Sequence, residues 1–301
     1  MTTSIVITGT GVPHVSPGRA GAGVLVSYGD THVQFDAGRA TTLRLAEAGV
    51  LPHQLSALFV THVHSDHVID IPDLVMTRWI ESNLHPAGPL PIFTARGPVE
   101  DFLASMLAPY ANDIDVRVGH GQETPPVFDT HTFDAPTSTQ EIWRNGDDTV
   151  IVSARAVRHE PVANAVAYRV DTPDGTIVIS GDTRVCDEVG ELARGAHMVI
   201  HEAARIRALS ELIRNTPFEN IFDYHADSVA LGEHAARWGT PHLVLTHLIP
   251  PPTTPHEAAQ FALDVRKGGF EGVVSVAHDL DRFILRDGQT HIDSSSDDTE
   301  S

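Results

Sequence analysis

The segment His62-Val63-His64-Ser65-Asp66-His67 constrains this chain more than any other. Four side chains able to ligate a metal fall within six residues, directly after the apolar run Leu55-Ser56-Ala57-Leu58-Phe59-Val60-Thr61. That run is short, contains β-formers and stops abruptly, so it reads as a buried strand feeding a site. Side chains alternate along an extended chain; His62 and His64 therefore share a side and can converge on one ion, while Asp66 and His67 reach a second beside it. Imidazole and carboxylate with no cysteine nearby suit zinc, manganese or iron. The bland reading of the same segment is a surface loop that happens to be rich in histidine.

A pair of ions needs ligands from elsewhere, and later strand ends offer them. His159 follows a strand over 149–157, Asp182 in Ser180-Gly181-Asp182-Thr183 follows one over 176–180, and His247 follows one over 242–246. Singly, each histidine is an ordinary hydrogen-bonding residue and Gly-Asp an ordinary turn; in this order behind the cluster they read as ligands. Leu58-Phe59-Val60-Thr61-His62 and Leu243-Val244-Leu245-Thr246-His247 echo one another, as two related halves with ligands at one rim would. The spacing also predicts a hairpin from 24–27 and 31–36, a helix within 68–82, and a helix over 227–238. Thr254-Pro255-His256-Glu257 opens a capped helix that Gly268 and Gly269 close. Residues 85–148, rich in Pro, Gly and acid, read as an insertion or cap with one helix near 98–110, inside a single domain over 1–290. The acidic tail 291–301 reads as disordered.

Together with Gly9-Thr10-Gly11, Phe35-Asp36-Ala37-Gly38 and His201-Glu202-Ala203, these motifs run in order through most of residues 5–285. On them the chain resembles the metallo-β-lactamase-fold hydrolases, and within those the branch of ribonuclease Z and related arylsulfatases and phosphodiesterases. The resemblance implies an α/β fold, a four-layer αββα sandwich with a dimetal site at one edge. It implies His62, His64 and His159 on one ion, Asp66, His67 and His247 on the other, and Asp182 bridging. Asp66, His225 and Glu202 are the implied catalytic residues: His225, in Tyr224-His225-Ala226-Asp227-Ser228, donates a proton to the leaving group and Glu202 steadies it. Two departures stand out. Ala226-Asp227-Ser228 only approximates the family's small residue followed by a hydroxyl residue, and Asp70 stands where relatives commonly carry Gly. Dimers are common in that branch, so a homodimer follows by analogy.

Charge bears on the substrate. Forty acidic residues against twenty basic ones, with Lys267 the only lysine, give a net charge of −20. Such a surface repels polyanions, and no basic strip interrupts it. Ribonuclease Z carries a Gly-rich basic arm, often between the counterparts of His159 and Asp182, where only 22 residues lie here. The expectation is therefore a small-molecule ester as substrate and no nucleic-acid partner. Two divalent ions, zinc first and manganese or iron next, activate a bridging hydroxide in a phosphodiesterase- or arylsulfatase-like reaction. The alternatives are a lactonase or β-lactamase-type hydrolase, and an iron-dependent redox or non-hydrolytic metal-binding protein on the same fold. Met76, Trp79 and Trp143 are candidate pocket walls. No run approaches the roughly 18–20 apolar residues of a spanning helix, and the start lacks a basic stretch followed by an apolar one, so the expected setting is cytoplasmic, away from membranes.

Overall fold

The inner strands of this chain carry apolar side chains on both faces, and that is what stacks it into layers. In the computed structural model, which describes residues 1–292, the strands are β1 (Thr3–Gly9), β2 (Gly23–Tyr28), β3 (Thr31–Phe35), β4 (Ala57–Val60), β5 (Leu90–Ala95), β6 (Phe128–Phe133), β7 (Gln140–Arg144), β8 (Ile151–Ala156), β9 (Val166–Thr172), β10 (Gly175–Ile179), β11 (Met198–Ala204), β12 (His242–Ile249), β13 (Val273–Val276), β14 (Arg282–Arg286) and β15 (Gln289–Ile292). The helices are α1 (Thr41–Glu47), α2 (Ser65–Val68), α3 (Ile71–Glu81), α4 (Pro98–Ser105), α5 (Ala111–Val118), α6 (Asp187–Leu192), α7 (Ile206–Ile213), α8 (Pro217–Phe222), α9 (Ser228–Trp238) and α10 (Pro255–Lys267). One sheet has the order β15-β14-β1-β2-β3-β4-β5-β6, the other β13-β12-β11-β10-β9-β8-β7.

Strand β4 shows the layering in four residues. Ala57 and Phe59 point between the sheets, where Phe59 stacks on Phe35 and meets Tyr168 of the other sheet edge-on. Leu58 and Val60 point outward onto Leu74 and Val75 of α3. A third apolar layer covers the second sheet, where Val199, Leu243 and Leu245 meet Val189 of α6, Leu231 of α9 and Phe261 of α10. Three cores between four layers make the αββα sandwich. Each fully buried large apolar side chain contributes roughly 1.5–3 kcal/mol. The sheets are also tied polar-wise: the Tyr168 hydroxyl donates to the Val60 carbonyl at 2.7 Å, and Val166 N–H to the Thr61 carbonyl at 3.1 Å.

Several expectations need correction. Residues 85–148 are not an insertion, because β5 and β6 extend the first sheet in parallel and β7 closes one edge of the second. Pro91 and the polar, exposed alternation of β6 hide these strands from a periodicity count. Met76 and Trp79 lie in the α3 core, with the indole N–H of Trp79 donating to the Thr124 carbonyl, and Trp143 packs edge-on against Phe59. None of the three lines the pocket described below. His291 and Ile292 belong to β15, so order passes residue 290, and the rest of the expected acidic tail, 293–301, lies outside the described residues. Asp70 anchors a helix: its carboxylate accepts the backbone N–H of Thr42 at 2.6 Å and of Ala40 at 3.3 Å, fixing the start of α1. Among the described residues no helix is long and apolar enough to cross a membrane.

Candidate active site

The C-terminal ends of β4, β8, β10 and β12 open on one rim, and the chain leaves each strand there with a side chain able to hold a metal. His62, His64, Asp66 and His67 come from the segment after β4 that turns into α2; His159 follows β8 and Asp182 follows β10. Gly181 makes the last turn feasible: its φ is +58°, and a Cβ there would lie 2.8 Å from the Thr61 side chain. His247 is aimed by a bulge. In the β11–β12 ladder Glu202 faces Thr246 and Ala203 faces Leu248, so His247 is the extra residue, with φ +43°. An extra residue of this kind redirects its side chain out of the sheet.

All seven sequence-derived ligand candidates meet. His62, His64, His159 and Asp182 form one group able to hold an ion, and Asp66, His67 and His247 another. His64 Nδ1 and His159 Nε2 are 3.3 Å apart, and Asp182 Oδ2 lies 3.8 Å from His62 Nε2 and 3.4 Å from His247 Nε2. Asp182 Oδ1 is 3.3 Å from His67 Nε2, and Asp66 Oδ2 is 3.2 Å from His247 Nε2. Asp182 thus touches both groups. His62 Nε2 and Asp66 Oδ1 are buried with no hydrogen-bond partner. Buried polar atoms without partners are costly, and a cation in each group would give each of them one; the residues fit divalent metal.

Electrostatics agrees. Burial, reinforced by the neighbouring His67 ring, holds the His62 imidazole well below its usual value, so its lone pair is free. Burial alone would raise the Asp182 carboxyl, but the imidazoles of His247 and His67 outweigh it and hold it well below the carboxylate range. His67 is the exception: burial pushes it down, yet Asp182 and Asp36 prevail and lift it well above a normal histidine. The positive charge those carboxylates call for there is what a bound cation would provide.

Asp36, at the end of β3, organises this shell and is a residue to which the sequence reading assigned no role. Its carboxylate accepts Thr61 N–H at 2.7 Å, the Thr61 hydroxyl at 2.8 Å and His67 Nδ1–H at 2.7 Å. His159 Nδ1–H donates to the Tyr224 carbonyl at 3.1 Å. Such outer partners fix which ring nitrogen faces a metal. The available signal was an aspartate just after a strand, the pattern that revealed Asp182.

His225 stands at the same rim on the turn before α9. Its Nδ1–H donates to both oxygens of fully buried Glu202, at 2.9 and 3.0 Å, and Glu202 also accepts Thr183 N–H at 2.7 Å and Ala226 N–H at 3.1 Å. Burial pulls the imidazole down, but the Glu202 carboxylate dominates and raises it to about 9. Asp182, His225 and His247 could also group around an ion. The Glu202 carboxylate favours the protonated form of His225, as Asp182 and Asp36 do for His67. Above the cluster opens a cavity of about 520 Å³ walled by Val12, Leu209, Ile213, Ile221, Phe222 and Pro250, with no Lys or Arg among its lining residues.

Fold and rim together define a metal-dependent hydrolase site on a metallo-β-lactamase scaffold. The family model described as Anti-Pycsar protein Apyc1 matches residues 3–211. Ribonuclease Z of Mycobacterium sp. (strain KMS) is 36% identical over 256 residues, covering 84% of this chain and 87% of that protein. The chain belongs to the ribonuclease Z-like branch of the metallo-β-lactamase-fold family. Solved structures agree on the fold: the metallo-β-lactamase fold protein YhfI from Bacillus subtilis has a TM-score of 0.70 at 19% identity, covering 94% of this chain and 100% of that one. The short form of human tRNase Z has a TM-score of 0.67 at 19% identity, covering 93% and 98%.

The relatives overturn one expectation. A small-molecule ester as substrate, with nucleic acid set aside on charge, conflicts with relatives that are ribonucleases by name. Net charge governs the long-range field of the whole chain and does not by itself exclude a polyanion from a local site.

Proposed function

We propose that the chain is a metal-dependent phosphodiesterase acting on RNA. The observation that carries this reading is the His225–Glu202 pair beside Asp182 and His247, a charged imidazole held at the mouth of a metal-binding rim. Its support is the ribonuclease Z name of relatives that share more than a third of their residues with this chain over most of its length.

In this reading His62, His64 and His159 hold one divalent ion, Asp66, His67 and His247 a second, and Asp182 reaches both. Zinc suits the nitrogen and oxygen donors. Two such ions supply Lewis acidity and lower the pKa of a water toward neutrality. The rest is the work of the chain. Asp36 and the Tyr224 carbonyl keep the His67 and His159 rings in the tautomer that offers Nε2 to the rim. Glu202 keeps His225 protonated, and His225 gives its Nε2 proton to the ribose oxygen that departs, a contribution of about 10²–10⁴-fold.

The test is hydrolysis of a short labelled RNA by zinc-loaded protein. Cleavage that chelation abolishes and zinc restores is the expected result; RNA left intact by the metal-loaded protein overturns the reading.

A further inference from the structure

Helix α7, like α5, has no buried residue. Its sequence, Ile206-Arg207-Ala208-Leu209-Ser210-Glu211-Leu212-Ile213, puts Ile206, Leu209 and Ile213 on one stripe. Leu209 and Ile213 face the cavity above the metal cluster, beside Phe222, rather than any core layer. Eight residues are too few to hold a helix unaided. Its ties gather at the first turn. Arg205 N–H donates to the Ile249 carbonyl at 2.9 Å and its side chain to Asp264 at 2.7 Å. Arg207 N–H donates to Asp227 Oδ2 at 2.8 Å, and its guanidinium lies 3.1 Å from Asp227 Oδ1 and 2.8 Å from Glu233.

Asp227 therefore has two duties. It caps α9 by accepting Ala230 N–H at 3.0 Å, and it clasps Arg207 at the root of α7. It also sits two residues after His225, so one carboxylate sets the distance between the apolar wall and the proton donor. The hydroxyl that the family pattern leads one to expect here would cap α9 as well, but would not pair with a guanidinium.

We propose that α7 is the wall that takes the base of the scissile nucleotide, and that Asp227 is a positioning residue that holds this wall over the site through Arg207. The inference rests on the RNA reading above and specifies which part of the substrate the cavity receives. The cavity adjoins the cluster where the phosphate must sit, and beside His225 its wall of Leu209, Ile213 and Phe222 is apolar, which suits an uncharged group such as a base. Its 520 Å³ falls in the range of small-ligand sites. Packing of the base gives α7 the apolar partner that the fold withholds.

The test compares adenosine 5′-monophosphate with ribose 5-phosphate, which lacks only the base, by calorimetry on zinc-loaded protein. The nucleotide should bind about tenfold more tightly, as burial of one base against an apolar wall allows. Asp227→Ser, which retains a good cap for α9, and Leu209→Ser should each shrink that gap to within about twofold while ribose 5-phosphate binds as before. Hydrogen exchange at the amides of 208–213 should slow when the nucleotide binds to the parent protein and not when ribose 5-phosphate does. Equal binding of the two compounds, or a full gap in both variants, overturns the proposal. The two readings fail separately: a base-dependent gap without RNA cleavage removes the activity and leaves the wall, and cleavage without a gap does the reverse.

Discussion

The two sheets furnish the site in opposite ways. The first sheet supplies His62, His64, Asp66 and His67 from one six-residue segment, and a single residue, Asp36, binds Thr61 and His67 to hold that segment together. The second sheet and its connections supply His159, Asp182, Glu202, His225 and His247 one at a time, each through its own device: a carbonyl for His159, a glycine turn for Asp182, a place within β11 for Glu202, the Glu202 carboxylate for His225 and a bulge for His247. A compact donor segment survives or fails as a unit. A distributed one can lose single members, and Asp182 is the exception, because its carboxylate lies within 3.8 Å of donor atoms in both groups.

The strongest challenge to this contrast is therefore Asp182→Ala. Loss of the carboxylate that reaches both groups should lower metal content at both, read by elemental analysis, and reduce RNA hydrolysis by more than about 10³-fold, since most of the Lewis-acid assistance would go with the ions. Should one equivalent of metal and substantial activity persist, the two sheets hold independent centres. His225→Ala comes next. Hydrolysis should fall by about 10²–10⁴-fold at unchanged metal content, and an aryl leaving group, which needs no proton, should lose much less. An equal loss for both leaving groups would remove His225 from the proton-donor role.

Asp36→Asn probes the first sheet's unit. The amide still accepts Thr61 N–H through one oxygen, but cannot accept both the Thr61 hydroxyl and His67 Nδ1–H. Metal affinity at the His67 group should drop by about 10–100-fold, as is typical for outer partners of metal histidines. An unchanged titration would mean that the segment needs no single organiser.

Legibility in the sequence follows the same division. Four donors in six residues are a local signal, and the strand before them is apolar throughout, so the first unit could be read directly. His159 and Asp182 were accessible because each follows a recognisable strand, and His247 because a recognisable apolar run leads into it, though nothing local marks the bulge within β12 that turns it inward. Asp36 received no role because its partners lie 25 and 31 residues away. The cavity wall escaped for another reason: α7 is amphipathic, but its apolar stripe faces the site and not a core. Sheet membership of β5, β6 and β7 was lost to Pro91 and to polar edge strands, whose pairing is set by neighbours rather than by their own pattern.

The smallest effect belongs to β12 itself, which carries a histidine at each end. His247 at the rim meets two carboxylates, whereas His242 at the opposite end is buried against Phe283 and bonds only to the Ser275 hydroxyl, at 2.9 Å. With no carboxylate near, burial alone lowers the His242 imidazole to about 4. The unfolded chain takes up this proton near pH 6.5 while the folded chain resists until about 4, so the group weakens the fold as pH falls through that window. The slope is at most about 1.4 kcal/mol per pH unit. His242→Gln, which cannot titrate, should therefore unfold at nearly the same denaturant concentration as the parent at pH 7.5, adjusted for any lost packing, but decline less steeply between pH 6.5 and 4.5. Parallel declines would show that His242 takes up its proton in the folded state, and that burial without a carboxylate partner does not separate the two ends of this strand.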